Sequence, residues 1–423
     1  MTKDWLSAVT RGAVWGSLVC LMALRMYAAW YRVPVCTWDD SMHREQAVGT
    51  TISLRQAVRL LTLPTTYNIV LDKTMGYYLW LVMGHHLFSG LGTQSQCSNS
   101  TTERAWQLIN ILLLLIQLGC VYGLAAWAFD DRTLGLAAVA LYFLSPIVFG
   151  MNRWVMTENH VMAAFWVGSA AAVIALRRGS VWVYVPCALA IGSFSTTREY
   201  ALPFMTAIAL GAILALGVAH GARAVLFAAL VVPYYVCAAI AARSSYDIAM
   251  AKFLNPAGQA GLHFPLVQWV PHVVMESIGP VLSAGLTGAA MFLMVRALKA
   301  PRFRDGLFVF WLVLGLVTAG TLLACVITIQ RIARSSIPPY VLGFAFVLIG
   351  VKATRVTLTP RWRRFIYGCV LVGLVISWGF MIDHLFVRFD AGGSYRHRAG
   401  QMEYYNHPFW LRPLRDRSDR HFE

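Results

Sequence analysis

Acidic side chains are scarce in this chain: 19 Asp and Glu stand among 423 residues, against 35 Lys and Arg, for a formal net charge of +16. Charged residues of both signs reach only 13% of the sequence, against roughly 25% in soluble domains, which excludes an ordinary soluble fold. Several motifs are missing too. There is no Walker loop, no GxSxG elbow and no GxGxxG after a strand, so nucleotide-driven chemistry within the chain is not expected. HExxH and CxxC are absent, and His85-His86, His160, His263 and His272 make no zinc pattern; His85-His86 has no carboxylate close by in sequence. No metal or other cofactor is expected. The excess of base has no separate basic domain to carry it, so nucleic acid is not an expected partner. No cleavable signal peptide stands out, because the apolar stretch from Val14 to Trp30 is too long for one and reads as a retained helix.

What is present is hydrocarbon. Hydrophobic residues make up 58% of the chain, mean hydropathy is +0.60, and apolar runs recur near the roughly 20 residues needed to cross a bilayer. The fold class predicted is all-α, a polytopic membrane protein of about eleven spans. These fall at 12–31, 106–129, 134–150, 160–176, 181–195, 201–218, 223–242, 277–296, 307–329, 337–351 and 365–386. With the N-terminus inside, cytoplasmic segments hold most of the base, including Arg132, Arg177, Arg296, Lys352, Arg355 and Arg363. An odd number of spans places the tail outside, and its seven arginines run against that orientation.

Residues 1–386 form one transmembrane domain, and 387–423 a short tail rich in basic and aromatic residues. Three outer segments are long, 32–105, 243–276 and the tail from 387, the second resembling a flap with Asn255-Pro256 and His263-Phe264-Pro265. In the first, Tyr77 to Phe88 is too short to span and is expected to lie in the interface. Leu54, Val58 and Leu61 oppose Arg55 and Arg59, the pattern of a second interfacial helix. Six of the eight cysteines fall in spans, where Cys packs as a small apolar residue. Cys36 and Cys97 share the first outer segment and make a disulfide if it faces an oxidising compartment.

The outer-face charges fall at helix ends: Asp39, Asp40, Glu45 and Lys73, then Arg153 with Glu158, Arg198 with Glu199, and Arg331 with Arg334. Each has two readings. Asp39 and Asp40 are a solvated pair or a cap, or else a base. Arg153 and Glu158 are a salt bridge or cap of the following span, with Thr157 and Asn159 as rival caps, or part of a site. Arg331 and Arg334 are snorkelling anchors or a phosphate clamp. A site that moves a sugar off a lipid phosphate needs both signs: a carboxylate to take the acceptor proton, and cations for charge growing on the phosphate.

The order of these features resembles a known family. An acidic pair follows the first span; then come Pro64-Thr-Thr-Tyr67, Lys73 and Arg104, the run from Asp131-Arg132 to Ser145-Pro146, Asn152-Arg153 to Glu158, and Gln330-Arg331 to Pro339. This is similar to the GT-C integral-membrane glycosyltransferases, in particular the branch with protein O-mannosyltransferases and the lipid A aminoarabinose transferase. The resemblance implies an inverting transfer from a polyprenyl-phosphate sugar at the periplasmic or lumenal face of a membrane. Asp39 matches the general base, with Asp40 beside it and Glu158 supporting it. Lys73, Arg153, Arg198, Arg331 and Arg334 are the candidates for the donor phosphate, and Tyr67, Glu45 and His263 for substrate contact. Partners expected are the polyprenyl-linked sugar, membrane lipids and a glycan, lipid or protein acceptor, in a bacterial inner membrane. The chain departs from the family in having Asp39-Asp40 for the more frequent Asp-Glu, Glu158 for Asp, and Arg198 for Lys. A flippase of lipid-linked saccharide, or an oligosaccharide ligase or polymerase, stands as the alternative.

Overall fold

The computed structural model describes residues 5–31, 52–62, 76–97, 100–152, 157–195, 201–254, 278–327 and 337–382. These form fourteen helices. Short elements include α2 (Leu54–Thr62), α3 (Gly76–Phe88) and a hairpin of β1 (Thr93–Cys97) and β2 (Ser100–Glu103). The others are α1 (Trp5–Tyr31), α4 (Arg104–Phe129), α5 (Arg132–Phe143), α6 (Pro146–Asn152), α7 (Glu158–Arg177) and α8 (Val181–Ser195). After them come α9 (Ala201–Ala219), α10 (Gly221–Leu254), α11 (Pro280–Lys299), α12 (Gly306–Ile327), α13 (Ile337–Ala353) and α14 (Pro360–Ile382).

Among the described residues, seven helices are long and apolar enough to cross a membrane, and an eighth span arises if α5 and α6 are counted together. α8, the stretch Gly221–Cys237 of α10, and α13 are shorter apolar helices. The chain is therefore an integral membrane protein. Each apolar window in the sequence coincides with one of these elements. α7 is the most enclosed of the seven, packed among α4, α8, α9 and α13, while α1, α11 and α14 offer more side chain to lipid.

The structure corrects the sequence reading in four places. The window 134–150 is broken by 68° between α5 and α6. Pro146 has no N–H to continue the helix and disfavours helical geometry at Ser145; the Ser145 carbonyl instead accepts from Val148 and Phe149 and starts α6 afresh. α10 continues past 242 to Leu254, because 243–254 loses hydropathy but contains no Gly or Pro until Asn255-Pro256. A two-stranded antiparallel hairpin, with Thr93 opposite Glu103, joins the all-α scheme where Thr and Ser replace helix formers. On α2 the buried stripe is Ala57 and Leu61, while Val58 is 43% exposed. Ser53 and Gln56 start this helix as a reciprocal capping box: Ser53 N–H donates to Gln56 Oε1 at 3.0 Å and Gln56 N–H to Ser53 Oγ at 3.3 Å.

Basic side chains gather at one end of the bundle. Asp131 caps α5 by accepting from the Thr133 and Leu134 amides at 2.8 and 3.2 Å. It also accepts from the Tyr367 hydroxyl at 2.5 Å and lies 4.0 Å from Arg363. Lys352 pairs with Asp130, Arg355 lies 3.8 Å from Asp305, and Arg296 donates to the Thr354 and Arg355 carbonyls. Six helices thus have their ends joined on one side, which leaves the opposite end as the place to look for a site.

Candidate functional site

The first polar feature at that opposite end is an arginine inside a span. Arg25 lies six residues before the end of α1, about 9 Å along the axis at 1.5 Å per residue, and is fully buried. An arginine in hydrocarbon costs about 2.5–3.5 kcal/mol on insertion scales unless its donors are satisfied. Here Nε donates to Asn152 Oδ1 at 2.6 Å, and Nη2 donates to the Asn152 carbonyl at 2.7 Å and to Gln107 Oε1 at 2.8 Å. One guanidinium edge therefore grips the last residue of α6 and the first turn of α4.

Amides carry the bonding onward, because each offers both donors and acceptors. Asn152 Nδ2 donates to the Asn110 carbonyl at 2.7 Å and to Asn159 Oδ1 at 3.3 Å, while Tyr77 of α3 donates to Asn110 Oδ1 at 2.8 Å. Asn159 Nδ2 returns to the Met151 carbonyl at 3.1 Å. Deeper in the bundle, Gln117 Nε2 donates to the Asn159 carbonyl at 3.3 Å and Tyr142 donates to Gln117 Oε1 at 2.8 Å. All of these side chains are buried, so the end of α6 and the start of α7 are held in a dry, cross-linked frame.

Glu158 sits on that frame. It is the first residue of α7, fully buried, and its Oε2 accepts from Thr157 Oγ1 at 3.2 Å. A carboxylate in the first turn is favoured by the unpaired amides and the positive end of the helix dipole. Of the rival caps read in the sequence, Thr157 stands at the N-cap position of α7. Thr157 makes no side-chain capping bond, and Asn159 is spent on Met151. His160 is the next turn's buried residue, its ring 5.0 Å from Phe194 and 6.0 Å from Trp80, with neither ring nitrogen hydrogen-bonded.

A collar closes over the same end. α3 is a helix too short to span, as expected, but Tyr77, Tyr78, Leu79, Leu81 and Val82 are all buried, because the segment has no polar face before His85. Gly84 lets it approach α4: a Cβ there would meet Ile109 Cγ1 at 2.5 Å. His85 does have a carboxylate partner, contrary to the sequence reading, with Nδ1 at 2.8 and 2.9 Å from the two oxygens of Glu103. The fold brings them together because the hairpin returns the chain to α3. His86 Nε2 lies 3.0 Å from the Ile52 carbonyl, and Arg104 donates to Leu91 O at 2.9 Å with its guanidinium 5.5 Å from the Trp30 ring centre. To one side, the break between α5 and α6 leaves a small recess against the start of α11 and the late turns of α14, lined mainly by Leu144, Pro146, Ile278, Val281, Ile376 and Phe380.

Of the site residues read from the sequence, Glu158 is placed in this frame. Asp39, Asp40, Glu45, Tyr67, Lys73, Arg153, Arg198, His263, Arg331, Arg334 and Cys36 lie outside the described residues, as does the side chain of Cys97. The frame itself was not singled out in the sequence. Its signal was available: an arginine within the first apolar window, and Gln107, Asn110 and Gln117 at helical spacing in the second.

The architecture, with a multi-helix bundle carrying short helices and a hairpin over one end, is shared with that of ArnT from Cupriavidus metallidurans. In the crystal structure of ArnT bound to undecaprenyl phosphate the match covers 85% of this chain and 63% of ArnT, with TM-score 0.50 and 16% identity. Against the apo state it covers 85% and 62%, with TM-score 0.52 and 16% identity. The likeness is one of fold, and the chain spans less than two thirds of the length of ArnT. The sequence matches no family model and no curated protein.

Proposed function

We propose that this chain is an inverting glycosyltransferase that moves a sugar from a polyprenyl-phosphate donor, undecaprenyl or dolichyl, to an acceptor hydroxyl at the periplasmic or lumenal face. The observation that carries the reading is Glu158: a carboxylate fully buried at a helix start, on the end of the bundle away from the basic ends, in a fold shared with a protein that binds undecaprenyl phosphate. In a bacterium the membrane would be the inner one. The basic end then faces the cytoplasm by the positive-inside rule.

In the reaction Asp39 takes the proton from the acceptor hydroxyl, and the acceptor oxygen attacks the anomeric carbon. The bond from that carbon to the phosphate oxygen breaks with inversion, and polyprenyl phosphate leaves with the electron pair. Glu158, with Asp40 nearby in sequence, orients the acceptor or supports the base. Lys73, Arg153, Arg198, Arg331 and Arg334 would hold the phosphate as its charge grows, and Tyr67, Glu45 and His263 would contact substrate. The polyprenyl chain would lie between spans, where its burial would supply affinity while the charges supply rate. No cofactor is required by this scheme.

The test uses purified full-length protein in lipid vesicles supplied with polyprenyl-phosphate sugars. Asp39→Asn is expected to abolish transfer while donor binding persists. Full transfer by Asp39→Asn would remove the base assignment, and translocation of the donor without transfer would favour the flippase. Mass spectrometry of lipids from cells lacking the protein would name the donor by its accumulation.

A further inference from the structure

We infer that Arg25 is a positioning residue of the site, setting the separation of α6 and α7 and hence the direction of the Glu158 carboxylate. The clamp itself stands on geometry, and its kinetic consequence rests on the transferase reading. Arg25 binds one residue twice: Nε takes the Asn152 side-chain oxygen at 2.6 Å and Nη2 the Asn152 carbonyl at 2.7 Å. Two parallel donors on one plane fix rotation as well as distance, which a single ammonium does not. A third bond, from Nη2 to Gln107 Oε1 at 2.8 Å, refers that fork to α4.

Asn152 then fixes α7. Its amide donates to Asn159 Oδ1 at 3.3 Å, and Asn159 donates back to the Met151 carbonyl at 3.1 Å. The residues bracketing 153–158 are strapped to each other, so an error in the Arg25 fork is transmitted to the residue next to Asn159, which is Glu158. The bonds that satisfy the buried guanidinium also cross-link α1, α4 and α6. A leucine at 25 would pack against the same helices, whereas the apolar window of α1 accepts a cation where it meets the α6 terminus. The same helix also leads into the segment with Asp39, so α1 ties the frame of one carboxylate to the chain carrying the other.

The experiment compares Arg25→Lys, Arg25→Met and Asn159→Ala in the full chain, in vesicles. Amide hydrogen exchange is read at Met151–Asn152 and Glu158–Met162, with the Arg296–Asp305 region as control. All three variants are expected to exchange at least about tenfold faster near the site, with the control unchanged, as local opening requires. In the transfer assay, kcat per folded molecule is expected to fall about 100-fold, with KM for the lipid donor within about twofold, since misaimed groups cost rate and not uniform binding. Lysine keeps the charge but not the fork, so Arg25→Lys is expected to keep wild-type yield and still lose kcat. Asn159→Ala leaves the guanidinium its partners and reports the strap even if Arg25→Met does not fold. Wild-type local exchange in both Arg25→Lys and Asn159→Ala overturns the clamp. Faster exchange with unchanged kcat makes Arg25 a purely structural residue and overturns the positioning role. If the wild-type protein transfers no sugar, the proposed reaction fails on its own and the exchange arm still decides the clamp.

Discussion

The Tyr367 hydroxyl donates to Asp131 at 2.5 Å, so the acid that caps α5 also anchors the first turns of α14. The two residues are 236 positions apart. Removing the acid therefore costs a cap and a tertiary bond together. Asp131→Ala is expected to lower stability by about 2 kcal/mol, from a cap near 1 kcal/mol and a charged hydrogen bond of similar size. Tyr367→Phe, which spares the cap, should cost about half of that. Thermal unfolding in detergent, monitored by a tryptophan or light-scattering signal, checks the ratio; equal losses would mean the cap contributes nothing.

Glu158→Gln separates chemistry from scaffold. The amide keeps the shape and can still accept from Thr157, so the fold should survive, with an unchanged or raised melting temperature. Transfer is expected to fall by about 10²-fold, the loss that a misplaced acceptor or base brings. Initial rates with a polyprenyl-phosphate sugar and a soluble acceptor analogue measure it, and a loss of less than tenfold would make Glu158 a structural acid.

The short helix α2 is held to the bundle by Tyr234, whose hydroxyl donates to the Leu61 carbonyl at 2.6 Å. Tyr234→Phe should release about 1 kcal/mol of that attachment without touching the bundle. Limited trypsin cleavage at Arg55 and Arg59 reads the change directly. Faster cleavage at those two sites with an unchanged melting temperature is the expected result.

His160 has two unbonded ring nitrogens between Trp80 and Phe194. A polar group buried without partners costs about 1–3 kcal/mol. His160→Phe is therefore expected to leave the melting temperature unchanged or to raise it by a few degrees, with transfer retained. A fall of several degrees, or lost transfer, would assign the imidazole a ligand or a proton.

Hydropathy made the bundle legible. Lipid leaves no other home for runs such as 306–323 or 201–218, and each is a helix. Pro146 was equally readable as a break in 134–150, yet hydropathy averages across it and hides the bend. The end of α10 was misplaced for the opposite reason: Arg243 to Leu254 changes polarity without changing helix propensity. At the site, Glu158 stood out because acids are rare. Arg25, Asn152 and Gln107 did not, since a window tolerates a few polar residues and says nothing about which of them meet. The pairing of His85 with Glu103 was hidden for the same reason, because only the hairpin brings position 103 back to α3.

The burial of Arg25 also constrains how the protein is made. Its partners Gln107 and Asn152 follow it by 82 and 127 residues, so at about 5–20 residues per second they are synthesised roughly 4–25 s after it. During that interval a bare guanidinium has to be kept wet, either inside the insertion machinery or by drawing the helix toward the surface. The first helix is thus delivered provisionally and seated last, when the helices bearing those amides arrive, and variants that delay their arrival should be caught by membrane quality control.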